Sequence, residues 1–172
     1  MFIYLMGGWG YGNKGDNAIL NAMLQTFASR FPYLDVTTTS YSTDELRAQH
    51  NLSGIDSLHR LLGRGQLWVP LRWLSVALWR LFGSPIFLSP ELKRHFRMIS
   101  DAEVLVLGGG GYFNDQWKGM LLSLYVALDM AAASGTPVVI YGQTLGPFSD
   151  ETVRCSLKRR LEKVAAVAYR DS

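Results

Sequence analysis

Phe2-Ile3-Tyr4-Leu5-Met6-Gly7-Gly8-Trp9-Gly10-Tyr11-Gly12-Asn13-Lys14-Gly15-Asp16 is the stretch that decides the fold of this chain. Residues 2–6 are a short apolar run stopped by two glycines, which reads as a buried first strand. A glycine loop fills residues 7–15. Asp16 has the chemistry of a helix N-cap, and Ile19, Leu20, Met23, Leu24 and Phe27 repeat behind it at helical spacing. Strand, glycine loop and amphipathic helix in that order open a parallel α/β unit.

The same rhythm continues. Residues 36–41, rich in threonine, read as a second strand, and residues 42–56 are polar and read as loop or a short helix. Residues 91–99 look helical. Residues 102–107 form a strand running into Gly108-Gly109-Gly110-Gly111, and residues 117–134 form a long apolar helix ending near Gly135. A strand at 137–141 leads into the turn Gly142-Gln143-Thr144-Leu145-Gly146-Pro147, then a charged helix at 149–163 and a last strand at 164–169. The class is α/β, a Rossmann-like parallel sheet with helices on both faces. Ligands of such sheets bind beyond the carboxyl ends of the strands. All three glycine clusters sit at such ends, after residues 2–6, 102–107 and 137–141.

Length and composition set bounds. A chain of 172 residues with 48% apolar and 18% charged side chains suits one globular domain. A net charge of +3 is too mild to imply nucleic acid. The single cysteine, Cys155, cannot form a disulfide within the chain, and His50, His59 and His95 make no metal-binding pattern, so no metal is expected. No basic segment precedes the first strand, so no signal peptide is expected and a cytoplasmic location is.

Gly10-Tyr11-Gly12-Asn13-Lys14-Gly15 spells G-x-G-x-x-G between a strand and a helix, the context of a dinucleotide fingerprint. The fit is imperfect. The loop is longer than the tight turn that motif needs, and Asp16 would repel a pyrophosphate. Asp35, at the spacing of a ribose-binding acid, precedes the second strand instead of ending it. Nor is this a P-loop, because Asp16 follows Gly15. Four consecutive glycines at 108–111 carry a high entropic cost, which points to a backbone wall against a ligand.

Several motifs together carry a resemblance. Gly10 to Leu20 resembles the opening glycine-Asn-x-Gly-Asp-x-Ala-Ile-Leu motif of the polysaccharide pyruvyl transferase family. Gly108-Gly109-Gly110-Gly111-Tyr112-Phe113-Asn114-Asp115 resembles that family's glycine run followed by Asp. Gly142 to Pro147 resembles its Gly-Gln-x-x-Gly-Pro turn, and Tyr169-Arg170-Asp171-Ser172 its Arg-Asp strand end. The resemblance implies a GT-B-like architecture of two Rossmann-like lobes, with this chain as the N-terminal lobe over residues 1–172 and the second lobe absent from it. It implies transfer of pyruvate from phosphoenolpyruvate to two hydroxyls of one sugar, in a cell-surface polysaccharide or its lipid-linked precursor. The product is a ketal, and no nucleotide or redox cofactor is needed. A GT-B glycosyltransferase lobe and a non-catalytic glycan- or partner-binding module are the alternatives.

That chemistry assigns roles. Arg170 is the best cation for carboxylate or phosphate, or else pairs with Asp171 at the surface. Asp16 and Asp115 either handle sugar hydroxyls as catalytic carboxylates or only cap helices. Gly12, Asn13, Lys14, Gly109, Gly110, Gly111, Asn114 and Gln143 are the expected substrate contacts.

Residues 57–90 stand apart. They hold Trp68, Trp73 and Trp79 with Arg60, Arg64, Arg72 and Arg80, and not one acidic residue. They read either as a helical insertion packed on the domain with solvated arginines, or as a patch for the anionic inner face of a membrane. Arg72 and Arg80 interrupt the apolar run well short of the ~18 residues of a membrane span. Self-association into a homo-oligomer is a further expectation.

Overall fold

The computed structural model describes residues 1–10, 12–63 and 69–169. Tyr11, Arg64, Trp68, Arg170, Asp171 and Ser172 lie outside the described residues, and with them the assignment of Arg170 as a cation. Six strands form one sheet: β1 (Phe2–Met6), β2 (Asp35–Ser40), β3 (Ser53–Asp56), β4 (Val104–Phe113), β5 (Val138–Leu145) and β6 (Ala166–Tyr169). Their order is β3-β2-β1-β4-β5-β6, and every pairing is parallel. Strand order therefore reverses between β1 and β4, and the crevice at that switch is where a doubly wound sheet binds ligands.

Side chains alternate across the sheet, so each strand feeds two cores. Ile3 and Leu5 of β1, with Val106 of β4, meet Leu20 and Met23 of helix α1 (Lys14–Arg30) and Leu46 of α2 (Thr43–His50). Tyr4 and Met6, with Leu105 and Leu107, face a larger core. Five helices cover that face: α3 (Leu58–Gly63), α4 (Val69–Phe82), α5 (Pro90–Asp101), α6 (Lys118–Ser134) and α7 (Glu151–Leu161).

Three expectations need correction. Residues 42–56 do hold the short helix that was one of the two readings, α2, capped by Ser42 accepting from the Glu45 N–H, but they also hold a strand that neither reading included: residues 53–56 pair with β2 as β3. Only Ile55 of β3 is buried, so the strand has no apolar periodicity to betray it and exists through its partner. Next, β4 and β5 do not stop at their glycines. They stay paired through Gly110↔Gln143 to Phe113↔Leu145 across a register shift. Gly109 and Gly110 take φ of 58° and 107°, and a Cβ on Gly108 would lie 2.7 Å from the Met23 methyl, so here glycine lets the strand kink and α1 sit close. Finally, Arg72 and Arg80 of 57–90 are not simply solvated. Arg80 pairs with Asp129 at 2.6 Å and Arg72 donates to the Leu61 carbonyl, while Leu58, Leu61, Leu62, Val76 and Trp79 belong to the core.

His95 of α5 is buried against β1, where its Nδ1 bonds the Tyr4 hydroxyl at 2.9 Å. Burial drives its pKa down from 6.5 to about 4, partly opposed by a bond involving the Asp56 backbone. The folded pKa lies below the unfolded one, so the neutral ring's stability is intact above 6.5 and is lost as pH falls toward about 4. That interval corresponds to about 3 kcal/mol. Stability measured by urea denaturation should therefore fall between these pH values by more in wild type than in His95→Leu; parallel curves would show that His95 does not titrate with unfolding.

Candidate functional site

A cleft of about 500 Å³ opens at the β1/β4 switch, lined by Gly8, Asn13, Asp16, Tyr41, His59, Gly110, Gly111, Tyr112, Trp117 and Met120. The ends of the first four strands each deliver part of it. Gly8 follows β1, Tyr41 follows β2, His59 follows β3 on α3, and Gly110 to Tyr112 come from the kinked end of β4. A second, more open cleft adjoins it, sharing Tyr41 and His59 and adding Gly10, Gly12, Glu45, Arg60 and Gly63.

Asp16 is the acidic group of the first cleft, and it is not the N-cap of α1. The helix begins at Lys14, and the Asn13 side chain caps it by accepting from the Gly15 N–H at 2.9 Å. Asn13 Nδ2 in turn donates to Asp16 Oδ2 at 3.0 Å, which fixes the carboxylate in the first turn of the helix, where the dipole favours negative charge. The Tyr112 hydroxyl donates to the same oxygen at 3.1 Å. Burial, and then the Asp16 charge, push the Tyr112 pKa well up, so the phenol keeps its proton and remains a donor to Asp16. Oδ1 of Asp16 accepts no hydrogen bond among the described residues. Gly8 is required for this pairing, because a Cβ there would fall 2.0 Å from the Tyr112 hydroxyl.

Asp115 has different work. Its Oδ2 accepts from the Ser149 N–H at 2.5 Å, the Ser149 hydroxyl at 2.6 Å and the Asp150 N–H at 3.0 Å. The Ser149 hydroxyl, with these two amides, holds its carboxyl below the ordinary range. It ties the end of β4 to the start of α7 and does not cap the helix at 117. That local cap is Asn114, whose side chain accepts from Gln116 and Trp117 N–H and donates to the Gly111 carbonyl.

The other expected contacts divide. Asn13, Gly110 and Gly111 line the first cleft and Gly12 the second. Lys14 is exposed on the first turn of α1. Gly109 lies under the cleft against Trp9 and Ile19, where a Cβ would be 2.6 Å from Ile19. Gln143 is buried, donating to the Gly109 carbonyl at 2.9 Å, and its Oε1 has no partner among the described residues. Among the described residues, no cluster of His, Cys, Asp and Glu could hold a metal ion.

Tyr41, His59, Arg60 and Trp117 were not foreseen. His59 stands edge-on to Tyr41, with ring centroids 6.4 Å apart, and Arg60 Nη1 donates to the Tyr41 carbonyl at 2.5 Å. Had β3 been recognised, the rule that ligands meet strand ends would have singled out residues 57–60. Trp117 is 59% exposed on the 3-10 turn before α6, an uncommon setting for an indole.

A search of curated proteins returned no match. The sequence profile for the polysaccharide pyruvyl transferase family matches residues 13–172, which takes in the Asn13–Asp16 turn, the β4 glycines and Trp117. The chain belongs to the polysaccharide pyruvyl transferase family.

Proposed function

We propose that the full-length protein carrying this chain transfers pyruvate from phosphoenolpyruvate to two hydroxyls of one sugar, in a cell-surface polysaccharide or its lipid-linked precursor. The observation that supports this most is the Asp16–Tyr112 pair in a cleft flanked by an exposed indole. The reaction adds a proton to the enol carbon and forms two bonds from sugar oxygens to the central carbon. The bond from that carbon to the phosphate oxygen breaks. Of the two hydroxyl protons, one matches the proton gained by the new methyl group and the other leaves on phosphate, so no redox partner is needed.

Asp16, oriented by Asn13 and Tyr112, accepts a hydroxyl proton. His59 is the imidazole in the cleft and the candidate for the proton at the enol carbon. Arg60 in the adjoining cleft, Lys14 and Arg170 are the cations proposed for the donor's carboxylate and phosphate. Trp117 offers its face to the C–H face of a sugar ring. Trp117→Ala should raise KM for the acceptor about tenfold, the equivalent of about 1.4 kcal/mol, and change kcat less than about twofold. An unchanged acceptor KM would remove the platform role.

The test of the reaction itself is phosphate release from phosphoenolpyruvate by the full-length protein, with and without a panel of glycans and with nucleotide-sugars as rival donors. Acceptor-dependent release supports pyruvyl transfer. No release, with consumption of a nucleotide-sugar, would point to a glycosyltransferase instead.

A further inference from the structure

Helix α4 is apolar on two faces. Val76 and Trp79 are buried in the core, as expected of a helix covering a sheet. On the other side Leu71, Leu74 and Leu81, at helical spacing, are 53%, 54% and 75% exposed, with Ala77 exposed between them. Phe82 continues the stripe and touches Phe87 of the next turn, ring centroids 5.1 Å apart, and Ile86 beside it is 70% exposed. A water-facing helix puts polar residues on such a face.

The charges near this stripe have one sign in excess. Residues 57–90 hold no acidic side chain. At the C-terminal end of α4, a cleft of about 330 Å³ is lined by Trp79, Arg80, Gly83, Asp129, Ala132, Ala133 and Lys163. Its one carboxylate, Asp129, already takes Arg80 at 2.6 Å and Nε and Nη2 of Arg160 at 2.8 and 3.0 Å. Three cations thus surround one anion. Two-fold pairing of the stripe with a second copy would bring these net-positive surfaces together, whereas an anionic lipid surface complements both the apolar residues and the charge. Among the described residues, no helix is long and apolar enough to cross a membrane.

We propose that the outer face of α4 and the 85–87 turn lie in the interface of an anionic membrane, with Leu71, Leu74, Leu81, Phe82 and Ile86 among the acyl chains and Arg80 and Lys163 toward the lipid phosphates. The proposal stands independently of the chemistry assigned to the glycine cleft. The test is co-sedimentation of the full-length protein with phosphatidylglycerol or phosphatidylcholine vesicles, using wild type and Leu81→Glu/Ile86→Glu. Both substitutions fall on exposed residues, and thermal melts check that folding is kept. Wild type should bind phosphatidylglycerol vesicles, bind phosphatidylcholine at least about tenfold more weakly, and release as salt is raised. The double variant should lose at least about tenfold in binding. Failure of wild type to bind, or equal binding by a folded double variant, overturns the proposal. So does a wild-type dimer that the double variant dissociates without any vesicle binding, which would give the face to a second copy.

Discussion

Asp16→Asn in the full-length protein should lower acceptor-dependent phosphate release by about a hundredfold or more while leaving the melting temperature nearly unchanged. The amide is isosteric and still accepts from Tyr112 and Asn13, which hold the carboxylate at 3.1 and 3.0 Å. What it loses is the charge and basicity that accept a proton, a contribution of roughly 10²–10⁴-fold in general-base catalysis. Tyr112→Phe separates orientation from basicity: it keeps the carboxylate and removes its fixed donor, so its loss should be smaller. A rate within about threefold of wild type for Asp16→Asn would leave Asp16 as a first-turn acid of α1 and nothing more.

Trp9→Ala should reduce stability by about 3–5 kcal/mol, the range for deleting a buried large aromatic. Trp9 is fully buried, and two glycine-bearing segments, the loop after β1 and the end of β4, close around it. Gly7 lies so close that a Cβ there would be 2.1 Å from the indole, and a Cβ on Gly109 would be 3.2 Å away. The Trp9 carbonyl also accepts from the Tyr41 N–H at 3.0 Å, joining the loops after β1 and β2. The indole is thus the floor on which the cleft's backbone rests. Trp9→Phe should lose much less, because the buried Nε1 has no partner among the described residues. Urea denaturation followed by circular dichroism measures both; a loss under about 1 kcal/mol for the alanine variant would mean that the loops are held from elsewhere.

The legible parts of this fold were those that local chemistry determines. β1, α1 and α6 announce themselves through apolar runs, helical spacing and Gly135, which ends α6 in the left-handed conformation. The site was half legible. Asp16, Asn13, Gly110 and Gly111 line the cleft at the loop and the strand end that the glycines mark, and Gly110 takes a φ of 107° that favours glycine. Asp115 could not be assigned from spacing, since its partners at 149–150 are fixed by tertiary contact, and the cap expected of it belongs to its neighbour Asn114. His59 was hidden for the opposite reason. It depends on β3, a strand with one buried side chain whose existence comes from pairing with β2.

The most direct measurement is the mass of the glycan after incubation of the full-length protein with phosphoenolpyruvate, a nucleotide-sugar mixture and the acceptor panel. A gain equal to pyruvate less one water, abolished by Asp16→Asn, is the predicted result, because ketal formation joins the pyruvate carbon to two hydroxyls of one sugar. A gain of one sugar residue, or no gain while phosphoenolpyruvate stays intact, would contradict it.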